Sequence, residues 1–342
     1  MNKEILGVID ATTHLESLED LIPHRSMSAI PFAGRYRLID FVLSNMVNSG
    51  IKSVAIFPRF QYRSLMDHLG SGKEWDLDRK RDGLFFFPSC SQQVPFEYLG
   101  CFKQFELNLD FFNRSTQEYA LITNSYTVCN LDYKPILNRH IDSRCDITEV
   151  FQNGKSMEMF ILKTSLLIEL ITSHNETGYH SILDVVRDES NQLRVCNYEY
   201  NGYVSSINSI EKYFEHSLEL LNPTVWKQLF LKANPVYTKV KDEPPTRYKT
   251  GVNVKNSMIA NGCVIEGHVE NSIIFRGVKI GKGTVIKNSI IMQKSQIGDN
   301  CVLDSVILDK DVAIEDNVTL KGEKSAPIVL RKGSKQGALM NS

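Results

Sequence analysis

Phosphate binding is the chemistry suggested by the segment from Asp10 to Asn45, but its main ingredient is missing. Residues 30–45 are typical of the turn and helix that follow the first strand of a nucleotide-handling α/β domain. The loop before them should contain glycines, because backbone N–H groups can then close on phosphate oxygens. Residues 11–20 contain no glycine and three acids, which would repel a triphosphate. The sequence therefore predicts the scaffold of a phosphate-binding domain without its phosphate loop.

The composition is that of a globular chain, with 342 residues, 42% hydrophobic and 23% charged. A net charge of −1 provides no general field for nucleic acid or a membrane surface, so neither is expected as a partner. No apolar run approaches the roughly 18–20 residues that span a bilayer. The N-terminus has no signal-peptide pattern, and we expect a cytoplasmic location.

Cysteine usage indicates neither a disulfide framework nor a zinc site. The cysteines are odd in number, scattered and never in Cys-x-x-Cys spacing. They are Cys90, Cys101, Cys129, Cys145, Cys196, Cys263 and Cys301.

Strand-like and helix-like segments alternate over the first two-thirds of the chain. Residues 4–9, 51–57 and 119–123 are predicted strands, residues 165–171 are predicted to be helical, and another helix is expected to start near Asn208. Strands separated by helices predict a mostly parallel, doubly wound sheet. We place this α/β domain at residues 1–238 and a proline-stiffened linker at residues 239–251.

Beyond the linker, the pattern changes to a short repeat. Apolar residues recur at six-residue steps, as at Ile274, Ile280 and Ile286, and Asn-Ser-Met/Ile-Ile motifs start at Asn256, Asn271 and Asn288. A coil of three short strands fits both the six-residue step and the longer spacing between these motifs. One apolar side chain of each hexad then points inward. Residues 252–342 are therefore predicted to form a left-handed parallel β-helix.

The two domains and the motif between them resemble the glucose-1-phosphate adenylyltransferase family over nearly the whole chain. Residues 72–79 and 156–160 also resemble family stretches. The residues that match the first family motif are Arg25, Pro31, Phe32, Gly34, Arg35, Tyr36, Arg37, Asp40, Ser44, Asn45, Asn48, Ser49 and Gly50. The family's enzymes join glucose 1-phosphate to ATP and release pyrophosphate and ADP-glucose, using Mg²⁺, Arg and Lys to neutralise phosphate charge.

The positions that perform this chemistry in the family are altered here. By the resemblance, the phosphate loop falls on residues 10–18 without glycine or arginine, and its lysine position holds Met27. The first metal-binding aspartate falls at Ser125 or Tyr126, and the second at Ser206. The base-binding segment falls on the bulkier residues 100–104, and the sugar-phosphate loop is deleted after Lys155. We expect no catalytic residues and no metal ligands, because Mg²⁺ prefers carboxylate oxygens.

The resemblance therefore implies a non-catalytic, regulatory subunit that accompanies a catalytic adenylyltransferase subunit, with a heterotetramer as the expected assembly. No cofactor is expected in this chain, and Mg²⁺ is expected only in the catalytic partner. In the family, Arg35 and Arg37 face a site for phosphate-bearing regulators. Arg25, Arg35 and Arg37 are thus candidates for sensing a sugar phosphate or a nucleotide, although pairing with Asp40 or with helix carbonyls would explain the latter two equally well.

Two other functions stay open. The chain could be a weakly active sugar-1-phosphate nucleotidyltransferase that recruits Mg²⁺ through Asp10 or Asp184. It could also be a hexapeptide-repeat acyltransferase that uses His268, but such enzymes need a long loop extruded from the prism, and the repeat predicts no such loop.

Overall fold

A central sheet with helices on both faces forms the first part of the chain. The computed structural model describes residues 4–59, 61–88 and 99–337. The strands up to residue 206 are β1 (Ile5–Ala11), β2 (Pro31–Phe32), β3 (Tyr36–Arg37), β4 (Ser53–Pro58), β5 (Gly83–Phe86), β6 (Tyr119–Asn124), β7 (Thr127–Cys129), β8 (Ile147–Gln152), β9 (Lys155–Lys163), β10 (Val195–Glu199) and β11 (Val204–Ser206). The helices are α1 (Leu38–Asn48), α2 (Arg63–Leu69), α3 (Phe102–Glu106), α4 (Leu109–Arg114), α5 (Tyr133–Ser143), α6 (Thr164–Thr177), α7 (Ile182–Arg187), α8 (Ile210–Glu219) and α9 (Pro223–Leu229).

Within the described residues, the strand order of this sheet is β10-β8-β9-β6-β1-β4-β5. β1 is parallel to β4 and β6, and β9 runs antiparallel to β6 and β8. The mostly parallel, doubly wound α/β fold predicted from the sequence is confirmed. Because helices cover both faces of such a sheet, its central strands β1, β4 and β6 are buried along their whole length. In β1, Ile5 and Ile9 join one core cluster, whereas Leu6 and Val8 join the cluster on the opposite face.

The second part of the chain is a parallel β-helix. Its strands are β12 (Arg247–Tyr248), β13 (Asn253–Lys255), β14 (Met258–Ile259), β15 (Val264–Ile265), β16 (His268–Glu270), β17 (Ile273–Ile274), β18 (Lys279–Ile280), β19 (Val285–Lys287), β20 (Ile290–Ile291), β21 (Gln296–Ile297), β22 (Val302–Asp304), β23 (Val306–Leu308), β24 (Ala313–Ile314), β25 (Thr319–Lys321), β26 (Ile328–Leu330) and β27 (Lys335–Gln336). They form three parallel sheets, in which each strand pairs with the strand three further along the chain. β12 lies inside the segment proposed as the linker and pairs with β15.

The hexad pattern sets the interior of this prism. Ile274, Ile280, Ile286, Ile297 and Leu303 are all at most 4% exposed. Asn256, Asn271 and Asn288, which begin the longer repeat, have φ between 42° and 48° and turn the chain at equivalent corners. Asparagine tolerates this left-handed backbone better than most residues. The hexapeptide β-helix predicted from the repeat is confirmed.

One coil is longer than the repeat predicts. Val306 pairs with Ile328, a step of 328 − 306 = 22 residues, whereas Ile290 pairs with Ile307, a step of 307 − 290 = 17. The extra residues form a tight turn closed by a bridge between Glu323 and Ala326. The repeat is therefore lengthened at this coil by a short turn, which differs from the long extruded loop considered in the sequence analysis.

The two domains share a hydrophobic core. Phe32 and Phe41 from the α/β domain and Tyr213 from α8 belong to one buried cluster with Ile273 and Phe275 of the β-helix. This shared core fixes the β-helix against part of the segment 30–45, which the sequence analysis identified.

The expectation of no disulfide is wrong, because Cys145 and Cys196 form one. Cys145 lies just before β8, and Cys196 lies on β10, where it pairs with Thr148 of β8. The two cysteines are separated by 51 residues and meet only through the pairing of these parallel strands. Their spacing alone gave no sign of that contact.

None of the helices in residues 4–59, 61–88 and 99–337 combines the length and the apolar character that a membrane crossing requires.

Candidate functional site

The crevice at the carboxyl end of β1, where the resemblance places the phosphate loop, contains a buried carboxylate. Asp10 Oδ1 accepts hydrogen bonds from Thr12 N (2.7 Å) and Thr12 Oγ1 (2.6 Å), and Oδ2 accepts one from Gly100 N (2.5 Å). Burial raises the pKa of Asp10, and these hydrogen bonds oppose the rise. The backbone N–H groups of Thr12 and Gly100 thus already have an internal hydrogen-bond acceptor.

Met27, at the position that aligns with the family's lysine, is surrounded by apolar side chains. It lies in a short 3₁₀ turn, is 3% exposed and belongs to a cluster with Leu18, Leu21 and Ile22. A thioether in such a cluster supplies no charge to a phosphate. Leu18, in the segment that aligns with the phosphate loop, is a fully buried member of this cluster.

The first metal position is also occupied by groups that bond within the chain. Ser125 Oγ lies 2.7 Å from Ser28 Oγ, and the hydroxyl of Tyr126 donates a hydrogen bond to Glu158. Burial, followed by the nearby Glu158 carboxylate, raises the pKa of Tyr126 far above its usual value. Tyr126 is therefore a neutral hydrogen-bond donor and not a metal ligand.

The residues present do not fit Mg²⁺. Ser206 lies on β11 opposite Thr127 and offers only a hydroxyl. Across the described ranges, no group of three or more His, Cys, Asp or Glu is placed to hold a metal ion. Hard divalent cations require several oxygen ligands, usually including carboxylates.

Asp184 and His268 were candidates for the two alternative functions. Asp184 Oδ2 accepts hydrogen bonds from the backbone N–H groups of His180 (2.8 Å) and Ser181 (2.9 Å) and thereby caps α7. His268 is exposed on β16, between Asn253 and Val285 of the neighbouring strands.

A second concave region, the interdomain cleft, lies between the α/β domain and the β-helix and has a volume of about 580 Å³. Cationic side chains from both domains and from the connecting segment line it together with fewer acidic ones. The cationic residues are Arg35, Arg37, Lys239, Lys241, Arg276 and Lys310, and the acidic ones are Asp67, Asp242 and Glu243. A chain with a net charge of −1 thus concentrates positive charge in one cleft.

The hairpin β2–β3 positions the two arginines that the sequence identified. Ala33 (φ 50°) and Gly34 (φ 77°) turn the chain, so Arg35 lies at the tip, with its guanidinium carbon 5.5 Å from the centre of the Tyr36 ring. Arg37 Nη1 donates hydrogen bonds to Ser64 O (2.5 Å) and Ser64 Oγ (3.0 Å). Burial, only partly offset by Asp40, lowers the pKa of Arg37 to about 10, which leaves it charged at neutral pH.

Asp40 does not pair with either guanidinium. Its Oδ2 accepts a hydrogen bond from the backbone N–H of Arg37 (3.0 Å), and its Oδ1 lies 2.5 Å from Nε2 of His68. Burial lowers the pKa of His68, so the imidazole is neutral at pH 7 and contributes no charge to the cleft wall that it lines.

Arg25 is placed differently from the other two candidates. Its Nη2 lies 2.8 Å from both carboxylate oxygens of Asp309, and both side chains are at most 3% exposed. Arg25 does not line the interdomain cleft. It links the α/β domain to the β-helix through its ion pair with Asp309. Whether Arg35 or Arg37 senses a phosphate stays a prediction.

Among the cleft residues that the β-helix contributes, three with long polar side chains were missed by the sequence analysis. Arg276, Gln293 and Lys310 occupy equivalent positions in successive coils (293 − 276 = 17 and 310 − 293 = 17). The Nε of Arg276 and the Oε1 of Gln293 are buried without a hydrogen-bond partner among the described residues. The sequence repeat could have indicated that these three residues lie together, because residues one coil apart stack at one corner of the prism. Only the fold shows which corner faces the cleft.

Family models match both domains. Residues 17–159 match the nucleotidyl transferase family, and residues 244–326 match the GlmU-like C-terminal hexapeptide family. Fold and crevice together thus define a nucleotidyltransferase-type protein with a hexapeptide β-helix.

Similar proteins specify the family further. The glycogen biosynthesis protein GlgD of Geobacillus stearothermophilus is 62% identical over the full length of both chains, and GlgD of Bacillus subtilis (strain 168) is 58% identical over all of this chain and 99% of its own length. A glucose-1-phosphate adenylyltransferase of Mycoplasma mobile is 30% identical over 84% of this chain and 85% of its own. The chain belongs to the GlgD family, which is related to the glucose-1-phosphate adenylyltransferases.

Proposed function

We propose that this chain is a regulatory subunit of glucose-1-phosphate adenylyltransferase in glycogen biosynthesis. It does not form ADP-glucose from ATP and glucose 1-phosphate itself, and it acts in the cytoplasm on a catalytic partner subunit in a hetero-oligomer, with a heterotetramer as the preferred assembly. Mg²⁺ belongs to the partner's active site. The relatives named above support the pathway, and the two sites described here support the division of roles.

The observation that carries the proposal is that the chain's own side chains fill the crevice. Asp10 satisfies the N–H groups at the end of β1, Met27 lies in an apolar cluster and Tyr126 bonds to Glu158. Removing one group that stabilises developing charge typically costs about 10²–10³ in rate, and here several positions are altered together.

The interdomain cleft supports regulation. Its cations come from the hairpin β2–β3, the connecting segment and the β-helix, so a phosphate-bearing effector bound there would contact both domains. A ligand shifts a conformational equilibrium by the difference in its affinity for the two states. When an effector shifts the conformation of this chain, its contacts with the catalytic partner change at the subunit interface. This change can alter the activity of the partner.

The decisive experiment co-expresses this chain with a catalytic adenylyltransferase subunit. Complex mass, ADP-glucose formation and the response to sugar phosphates and nucleotides are compared with each subunit alone. We expect a mixed complex with altered kinetics and no activity of this chain by itself. Absence of a complex together with unchanged kinetics would overturn the proposal.

A matched pair of variants tests the cleft within that complex. Arg35→Ala should weaken the effector response, whereas Arg139→Ala, an exposed change on α5, should leave it unchanged. An unchanged response in Arg35→Ala would show that Arg35 does not sense the effector.

A further inference from the structure

Three large apolar side chains are exposed to solvent in the stretch from α9 to the linker. Trp226, Leu231 and Tyr237 are 38%, 40% and 37% exposed, respectively. The chain's other tryptophan, Trp75, is 1% exposed. Large apolar side chains that are grouped on a protein surface mark sites of interaction. We call these three residues, with the half-buried Phe230, the outer patch.

Stacked aromatic rings hold Trp226 in place. Its ring centre lies 4.1 Å from that of Phe230, which in turn lies 5.3 Å from that of Tyr36 and 6.1 Å from that of Phe41. Phe41 belongs to the core that the two domains share, and Tyr36 packs against this core. A side chain that is already ordered before it binds loses little conformational entropy in a complex.

Hydrogen bonds from Asn130 fix the loop that carries Leu231. Asn130 Nδ2 donates to the backbone oxygens of Leu229 and Asn234, at 2.8 Å each. Both ends of the loop are therefore held to the α/β domain, and Leu231 is exposed between them. The exposure of Leu231 thus belongs to an anchored backbone and not to a loose end.

Helix α1 holds the residues that follow this loop. Asn48 Nδ2 donates to Pro235 O (3.0 Å), and Tyr237 N donates to Ser44 Oγ (2.8 Å). Positions 41, 44 and 48 lie on one face of α1, because three and four residues separate them. The segment 230–237 therefore runs along one face of α1, and the outer patch forms a single surface.

Cationic side chains adjoin the outer patch. Residues 220–238 contain two lysines, Lys227 and Lys232, and no acidic residue. Both lysines are exposed, and neither forms an ion pair within the described residues. Protein interfaces bury an apolar centre inside a polar rim, and complementary charge selects the partner. The outer patch therefore favours a partner that has acidic side chains around an apolar centre.

A second copy of this chain does not meet that requirement. A two-fold contact places the same surface of each copy against the other. Lys227 and Lys232 of one copy would then face the same lysines of the other copy, and like charges that face each other across an interface repel. The charge of the outer patch therefore favours a different chain as its partner.

We propose that the outer patch binds the catalytic partner subunit, at a surface with an apolar centre and an acidic rim. Trp226 and Leu231 supply the apolar contact, and Lys227 and Lys232 supply the charges around it. The inference rests on the proposed regulatory role and specifies the surface through which this chain contacts its partner.

The affinity of the mixed complex tests the apolar centre. The full-length chain and a catalytic glucose-1-phosphate adenylyltransferase subunit are purified separately, mixed and analysed by sedimentation velocity. We expect Trp226→Ala and Leu231→Glu each to weaken the complex by roughly tenfold or more, as expected for the loss of a central interface residue. Leu107→Glu is the matched control, because Leu107 lies at the end of α3 and is 67% exposed. It should leave the affinity unchanged, and the unfolding midpoint of each variant checks its fold.

The association rate tests the cationic rim. Lys227→Glu combined with Lys232→Glu should slow association at low salt and remove the decrease in rate that added salt causes with the unmodified chain. Lys134→Glu combined with Lys155→Glu changes the net charge equally at exposed positions elsewhere and should have little effect. Equal rates for the two double variants would overturn the assignment of the rim.

The failures of the two proposals are distinguishable. No mixed complex with the unmodified chain would overturn both. A complex whose affinity is unchanged in Trp226→Ala and Leu231→Glu, or is weakened equally by Leu107→Glu, would overturn this inference and leave the proposed function in place. Self-association of the chain alone that Leu231→Glu abolishes would place a second copy on the outer patch and would also overturn the inference.

Discussion

Arg25 and Asp309, separated by 284 residues, form a buried ion pair between the α/β domain and the β-helix, with Nη2 2.8 Å from each carboxylate oxygen. The side chains are 3% and 1% exposed, and Arg25 Nη1 has no partner among the described residues. Such a pair adds little net stability compared with apolar packing, but the loss of one member leaves an unpaired buried charge. The pair therefore links the two domains in one arrangement.

Removal of one member of this pair should destabilise the fold strongly. We expect Asp309→Ala to lower the free energy of unfolding by about 3–5 kcal/mol, as measured by urea denaturation. The exposed Asp142→Ala on α5 should change it by less than about 0.5 kcal/mol. A double change, Arg25→Met with Asp309→Leu, should recover much of the loss. A small effect of Asp309→Ala would contradict the pairing.

Asp10→Asn tests whether the carboxylate fills the crevice as an internal acceptor. Both oxygens of Asp10 accept from N–H or O–H donors, so an amide NH₂ must face one of these donors. We expect a loss of about 1–3 kcal/mol in the free energy of unfolding. Asp184→Asn, which affects a helix cap, is the comparison for the nucleotidyltransferase alternative. Mg²⁺-dependent ADP-glucose formation by the unmodified chain, abolished by Asp10→Asn, would favour that alternative.

The disulfide between Cys145 and Cys196 should be detectable as a stabilising cross-link. We expect alkylation without reductant to spare these two residues and the double change to serine to cost about 2–4 kcal/mol in the free energy of unfolding. Reductant should lower the unfolding midpoint of the unmodified chain but not that of the double variant. Alkylation of both cysteines in the folded, unreduced chain would show that the cross-link is absent.

Lys310 should make stability depend on pH in the absence of anions. Its folded-state pKa of about 7 lies below that of the unfolded chain, near 10.5, so the unfolded state binds more protons between these values. Stability contributed by this site should therefore rise from about pH 7 towards pH 10. Denaturation in chloride buffer should show this rise, and Lys310→Met should flatten it. Equal slopes for both proteins would contradict the assignment.

The sequence predicted those features that repeat or follow local rules. The hexads placed Ile280 and Ile286 inside the prism, because a period of six residues matches one buried side chain per short strand. The segment 30–45 was recognised because its residue types match a known motif. Helix α6 extends well beyond the predicted core of residues 165–171, to Thr177, because only the αL residue Gly178 ends it.

Other relationships depended on contacts that no local pattern shows. Arg25 belonged to the same motif as Arg35, yet the packing of the β-helix against residues 27–41 gave it Asp309 as a partner. Cys145 and Cys196 became neighbours through strand pairing.

The sequence by itself determined that this protein has an α/β domain without a phosphate loop, followed by a β-helix, because glycine content and periodicity are local properties. Only the tertiary structure decided what replaced the missing chemistry. Asp10 accepts hydrogen bonds from the backbone N–H groups of Thr12 and of the distant Gly100, and Lys310 and Arg276 join Arg37 in one cleft. The physical reason is that burial and charge proximity depend on which distant segments pack together, and the shared core between the two domains sets that packing.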